Sequence, residues 1–361
     1  MSAITDLRTD VFVVPNERAL SDATQSFDAL ELVVVEVETG DGAVGTGFTY
    51  TIGSGALAIA SFVDSVLRPV LEGEAAAPRT AYESMRANTT FVGREGISEL
   101  AISAVDVALW DALGKRLEIP LFELLGGDRR PVPAYETNGG WLHLSEDELT
   151  ENASAAAERG FAGMKVKIGR GHAEDERRLR AIREVLPDDV DLMVDANCAF
   201  SVGDARRFAG RVNDLDLAWL EEPLEKGDYV SLADLRRTID VPIATGENFF
   251  SPEQFAQVIS LDAVDILQPD VCRVGGITAW LRVAELAAAN NLPVSPHYVE
   301  PIHVHLAAAT GVVPCMEHHS TVLDGVLEKS LRLEDGAFTP PTDPGHGIRF
   351  DGLERYRYDP S

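Results

Sequence analysis

The sequence predicts an α/β chain: an eight-stranded β/α barrel preceded by an α+β unit. Three observations carry this. Residues 8–125 read first as strands and then as helices. From Pro131 onward, short apolar strands alternate with amphipathic helices eight times. Three consecutive strands of that series end in an acid at even spacing. Strand–helix alternation indicates a parallel sheet, and at eight strands closure into a barrel is the commonest solution.

The α+β unit opens with the apolar run 11–14 (Val-Phe-Val-Val). Residues 32–39 then meet 43–48 across Gly40-Asp-Gly42, a hairpin signal. Residues 15–28 and 51–54 are polar and read as irregular. From residue 55 the period turns helical, most clearly over 99–114, which closes on glycine. The barrel strands are predicted near 132–137, 163–168, 191–196, 217–222, 242–247, 265–270, 293–297 and 313–317. Helices such as 145–159 and 173–185 lie between them. An open doubly wound sheet is the rival arrangement, and the recurrence of polar residues at strand ends favours the barrel. Beyond about 325 the chain is rich in Pro and Gly and is expected to return across the first unit.

Composition narrows the function. The chain has 361 residues and a formal charge of −28 with pI near 4.6, which argues against nucleic acid or an anionic membrane as partner. No apolar stretch approaches the ~18 residues of a membrane span, and the N-terminus lacks a secretory pattern. Three cysteines (Cys198, Cys272, Cys315) suggest no disulfide framework and read as packing. A cytoplasmic location is expected. Only five residues are lysine, and the acids are spread along the whole chain. That pattern reads as adaptation to high intracellular salt, with an ordinary acidic cytosolic enzyme as the other reading.

Two of the five lysines, Lys165 and Lys167, share the heptapeptide 163–169 and point to one face of a strand. Asp195, Glu221 and Glu247 end the next three strands, 26 residues apart in both steps. A barrel would set these carboxylates side by side at its C-terminal mouth, where such acids need a cation and hard oxygen ligands suit Mg²⁺. Asp270 and His297 end the sixth and seventh strands; a carboxylate on one imidazole nitrogen makes the other a general acid/base opposite Lys167. Glu317 ends the eighth, able to donate a hydrogen bond if held protonated. His303 and His305, on the next helix, read as structural.

These residues resemble the enolase superfamily, specifically its mandelate racemase subgroup (the mandelate racemase/muconate lactonizing enzyme family). The motifs, in order, are residues 103–115 (Ser-Ala-Val-Asp-Val-Ala-Leu-Trp-Asp-Ala-Leu-Gly-Lys), 124–127 (Leu-Leu-Gly-Gly), Lys165-x-Lys167, the three acids, the Asp270/His297 pair and Glu317. Relatives of the muconate cycloisomerase and dipeptide epimerase types carry lysine where Asp270 stands. The resemblance implies a modified (β/α)₇β barrel over 126–325 and an α+β capping domain over 1–125, joined by the tail 326–361. Cap residues 15–28 and 49–55 would close over the substrate. Asp195, Glu221 and Glu247 would hold Mg²⁺, Lys167 or His297 would remove the α-proton of a carboxylate, and Lys165 would depress the pKa of Lys167. Glu317 would donate to the enolate oxygen, with Asn197 and Thr137 as substrate contacts. The implied reaction is dehydration of an acid sugar to a 2-keto-3-deoxy acid. Racemisation or epimerisation is the alternative, and a non-catalytic metal-binding relative is a reading from another class. The expected partners are a small-molecule carboxylate and further copies of the chain.

Overall fold

The computed structural model describes residues 2–319 and 322–359, apart from the side chain of Glu17. An antiparallel sheet of β1 (Ile4–Ser21), β2 (Ser26–Thr39) and β3 (Val44–Thr51) opens the chain. The predicted hairpin across 40–42 joins β2 to β3. Residues 15–28, expected to be irregular, instead extend β1 and β2 into a second hairpin, with Leu20 opposite Phe27 after a shift in register. Its turn is tied by Asp22, whose Oδ1 accepts from the backbone N–H groups of Thr24 (2.7 Å) and Gln25 (2.9 Å). Leu20 is the one buried side chain among the described residues of 15–28, with Phe27 packed on Trp141 beside it, so too few apolar positions mark this hairpin in the sequence.

The helix Ile97–Leu117 lies directly on β3. A Cβ at Gly45 or Gly47 would meet the carbonyl oxygens of Ala108 or Ala104 at 2.0 Å, so small residues on both sides set this close approach.

The barrel is parallel, from β4 (Val132–Glu136) through β5 (Gly163–Lys167), β6 (Asp191–Asp195), β7 (Leu217–Glu221), β8 (Ile243–Thr245) and β9 (Ile266–Leu267). β10 (Met316–His318) pairs back onto β4. The seventh predicted strand, 293–297, is reduced to a bridge between Val294 and Leu267, with the Val294 N–H donating to Val312. Pro293 and Pro296 remove two of the donors a ladder there would need. Tyr135, Met193, Trp219 and Ala244 form a small buried cluster on the strands, apart from the main cores.

The C-terminal tail runs back over the first unit. Gly345 exchanges backbone hydrogen bonds with Ile119 and Leu121, Phe350 meets Phe48 edge-on, and Tyr358 N–H donates to Val11 O. Among the described residues no helix is long and apolar enough to cross a membrane, and the three cysteines are free.

Candidate active site

Strand register brings the functional residues together. Lys167 is the Cα partner of Asp195, and Asp195 of Glu221, so three charged side chains share one row across β5, β6 and β7. Glu247 follows two residues beyond β8. Asp195, Glu221 and Glu247 each offer one oxygen within 4.8 Å of the others. Asp195 accepts from Lys167 Nζ at 2.5 Å and from the Asn197 N–H at 2.8 Å. Glu221 accepts from Lys165 Nζ (2.7 Å), Trp219 Nε1 (3.0 Å) and Gln268 Nε2 (2.6 Å). Glu247 Oε2 is buried with no hydrogen-bond partner.

Asp270 and His297 form the expected dyad, Nδ1–H donating to Oδ2 at 2.9 Å. A third member comes from the other unit: Tyr50, on β3, donates to the same oxygen at 2.5 Å. The Cys272 N–H donates to Asp270 Oδ1 at 2.7 Å, so the carboxylate is held from three sides. Burial lowers the proton affinity of His297, but Glu247 and the Asp270 hydrogen bond outweigh it and raise its pKa to about 9.

The site fits a divalent cation. Five carboxylates (Asp195, Glu221, Glu247, Asp270, Glu317) face two ammoniums and a protonated imidazole, leaving an excess of two negative charges. The mismatch is visible at Glu221, where burial and the neighbouring acids push the carboxyl up to about 8 against the pull of Lys165. Oxygen donors alone, one of them unsatisfied, suit a hard ion such as Mg²⁺.

Burial and Lys165 lower the proton affinity of Lys167, but with no cation on Asp195 that carboxylate, at hydrogen-bond distance, outweighs both and raises it above the usual lysine range. Glu317 is drawn toward its charged form. Burial raises its pKa, yet the Lys165 ammonium at 2.7 Å, with His297 and His319, holds it well below the usual carboxylate range. Lys165 thus bridges Glu221 and Glu317.

A cavity of about 280 Å³ opens above these groups. Lys167, Asn197, Glu247 and His297 line it from the barrel. The two predicted cap segments line it from above, with Leu20, Asp22, Thr24, Gln25 and Phe27 from one and Tyr50, Thr51, Ile52 and Ser54 from the other. Thr137 lies behind this wall, donating to Glu317 Oε1 at 2.9 Å. Cys198, read as packing, sits on the wall with its thiol 3.2 Å from Glu222. His303 and His305 are buried and bonded to backbone groups on both ring nitrogens, as a structural reading requires. Sequence reasoning named no role for Tyr50 beyond its place in the cap segment, and missed Trp141, Glu222, Lys226, Asn248, Arg273 and His319 on the cavity wall. Of these, Glu222 and Asn248, each beside a predicted ligand, carried a signal.

A closed barrel with acids for a divalent cation, two flanking bases and a cap over the mouth defines a protein built to act on a small anion. Residues 8–126 match the family described as "Mandelate racemase / muconate lactonizing enzyme, N-terminal domain", and residues 148–354 match "Enolase C-terminal domain-like". The chain belongs to the mandelate racemase/muconate lactonizing enzyme family of the enolase superfamily. It is 35% identical to L-talarate/galactarate dehydratase of Salmonella typhimurium over 95% of this chain and 86% of that protein. It is 37% identical to 3,6-anhydro-alpha-L-galactonate cycloisomerase of Streptomyces coelicolor over 96% and 97%. The crystal structure of L-talarate dehydratase from Polaromonas sp. JS666, complexed with Mg and L-glucarate, superposes with TM-score 0.93 at 36% identity, covering 99% of this chain and 98% of that one.

Proposed function

We propose that the protein is a Mg²⁺-dependent lyase that dehydrates an acid sugar to a 2-keto-3-deoxy acid. The observation that carries this is one cavity lined by a potential base, Lys167, an acid/base, His297, and a carboxylate suited to a metal, Glu247. The dehydratase relatives support the substrate class. When bound, Mg²⁺ would supply a Lewis acid for the substrate carboxylate and for the charge that develops on it. Asp195, Glu221 and Glu247 would hold it. With Asp195 engaged by the cation its hold on the Lys167 ammonium weakens; that ammonium first releases its proton to solvent, and the neutral amine takes the α-proton. Protonated His297, kept in that form by Asp270, gives its proton to the β-hydroxyl, which leaves as water. The enol left behind takes a proton at the β-carbon, loses its hydroxyl proton to solvent and becomes the 2-keto-3-deoxy acid. Glu317, when protonated, would donate to the enolate oxygen, with Lys165 bonded beside it. Asn197 lines the cavity as a substrate contact; Thr137 steadies Glu317.

A second reading, racemisation or epimerisation, rests on the same pair of bases: without a β-leaving group the second base returns a proton to the other face. The complete set of acid, bases and metal ligands speaks against a non-catalytic relative. We take residues 1–125 with 326–361 as the cap and 126–325 as the barrel. We also take the protein to be cytoplasmic, adapted to high salt by its lysine-poor acidity, and homo-oligomeric, with the exposed Phe91 and Val92 consistent with contacts between copies. The test is a panel of aldonic and aldaric acids incubated with enzyme and Mg²⁺, read for 2-keto product and for exchange of the α-proton in D₂O. Product from at least one acid is expected. Neither product nor exchange from any acid would overturn the assignment.

A further inference from the structure

The cavity wall carries two cations, Lys226 and Arg273, that make no direct ion pair among the described residues. Lys226 Nζ and Arg273 NH2 both donate to one neutral oxygen, Asn248 Oδ1, at 2.8 and 3.0 Å. Among the described residues neither cation forms an ion pair, and Arg273 Nε is buried with no hydrogen-bond partner. The guanidinium carbon lies 5.5 Å from the Phe250 ring centroid. The other end of the same amide serves acids: Asn248 Nδ2 donates to both oxygens of Glu222 (2.9 and 2.7 Å) and to Glu247 Oε1 (3.3 Å), and, against burial, Asp270, Glu247 and Glu222 favour the charged form of Arg273 from a distance.

What sets this pair apart is that both cations converge on one neutral side-chain oxygen at the cavity wall. Lys115, Lys165 and Lys167 are all ion-paired. Two like charges converging on a neutral oxygen repel each other, and an anion arriving beside them removes that penalty. A guanidinium presents a planar fork suited to a carboxylate, and an ammonium adds a point charge beside it. Both cations line the same cavity as Lys167, Glu247 and His297.

We propose that Lys226 and Arg273 form a second carboxylate subsite, so that the acid sugar is a diacid, an aldarate, with one carboxylate at the acid cluster and the other at this cation pair. The inference rests on the proposed function and names its substrate class.

The test compares galactarate with galactonate, which differ in carrying a second terminal carboxylate or a hydroxymethyl group. It uses the full-length enzyme with Mg²⁺ and two readouts: kcat/KM and, independent of turnover, calorimetric affinity. The wild type should favour the diacid by about 100-fold. Lys226→Gln, at an exposed position where folding is not at risk, should cut that preference about 10-fold, chiefly through KM. Arg273→Lys should cut it about 10- to 100-fold, in the range of a charge-assisted hydrogen bond. Equal affinity for the two acids in the wild type, or an unchanged ratio in Lys226→Gln, would overturn the subsite. If neither acid turns over, the dehydratase reading loses its support for these substrates, while the calorimetric ratio still decides the subsite.

Discussion

Replacing Glu221 by Gln separates the metal from the fold. In the wild type Glu221 accepts from Lys165 on one oxygen and from Trp219 and Gln268 on the other. A glutamine keeps one acceptor. Gln268, whose Oε1 is unpartnered, can turn over to receive the new amide N–H, leaving Trp219 Nε1 unpaired. One buried donor left unsatisfied costs about 1–3 kcal/mol, while Lys165 keeps the amide oxygen and its ion pair with Glu317. For 361 residues the unfolding entropy is about 0.76 kcal/mol/K, so Tm without metal should fall by no more than about 4 °C. Loss of a charged ligand should weaken Mg²⁺ at least 100-fold, since removing groups outside the ligand set already costs 10- to 100-fold. At a concentration 100 times the wild-type Kd, bound Mg²⁺ contributes about 2.7 kcal/mol, or roughly 3.6 °C. The variant at that concentration gains about 0.4 kcal/mol, roughly 0.5 °C. Thermal melts with and without Mg²⁺ measure this directly. A variant whose melting point rises with Mg²⁺ as much as the wild type's, or which retains full turnover, would refute the ligand assignment.

The two bases predict configuration-specific exchange: Lys167→Ala and His297→Asn should each retain α-proton exchange with D₂O for only one configuration, and His297→Asn should also abolish elimination. Equal loss for both configurations in each variant, with metal binding intact, would count against the pairing. The charge of −28 predicts that molar KCl raises Tm by screening self-repulsion; a flat or falling melting point would remove the high-salt reading. A Cβ at Gly140 would sit 1.9 Å from the Lys165 carbonyl oxygen. Gly140→Ala should therefore displace β5, costing about 1–3 kcal/mol and most of the activity, whereas an unperturbed variant would show that the loop yields freely.

What was legible in the sequence was whatever strand periodicity could index. Asp195, Glu221 and Glu247 stood out because one strand–helix unit repeats at nearly constant length, and the register of β6 and β7 converts that spacing into adjacency. His297 could be named although its strand could not be formed, because position along the repeat survives the prolines that disrupt the ladder. The hairpin over residues 15–28 was hidden for the opposite reason: its tip lines the cavity, and a single buried residue, Leu20, is too little to impose alternation. Tyr50 and Asp270 lie 220 positions apart, a separation no local pattern spans. The protonation of Lys167 and Glu317 depends on which charge ends up about 2.5 to 2.7 Å from which, and spacing along the chain carries no such information.

The hydroxyl of Tyr50 has a consequence for how such proteins diversify. Cap and barrel look like interchangeable modules, one choosing the substrate and the other supplying the chemistry. Yet the oxygen of Asp270 that orients His297 is shared with a residue of the cap. A chimera that received its cap from a relative lacking a tyrosine here would inherit new selectivity and a less constrained dyad together. Recombination at the apparent seam is therefore not neutral, and lineages that exchange caps must carry this one phenol across or rebuild its support within the barrel.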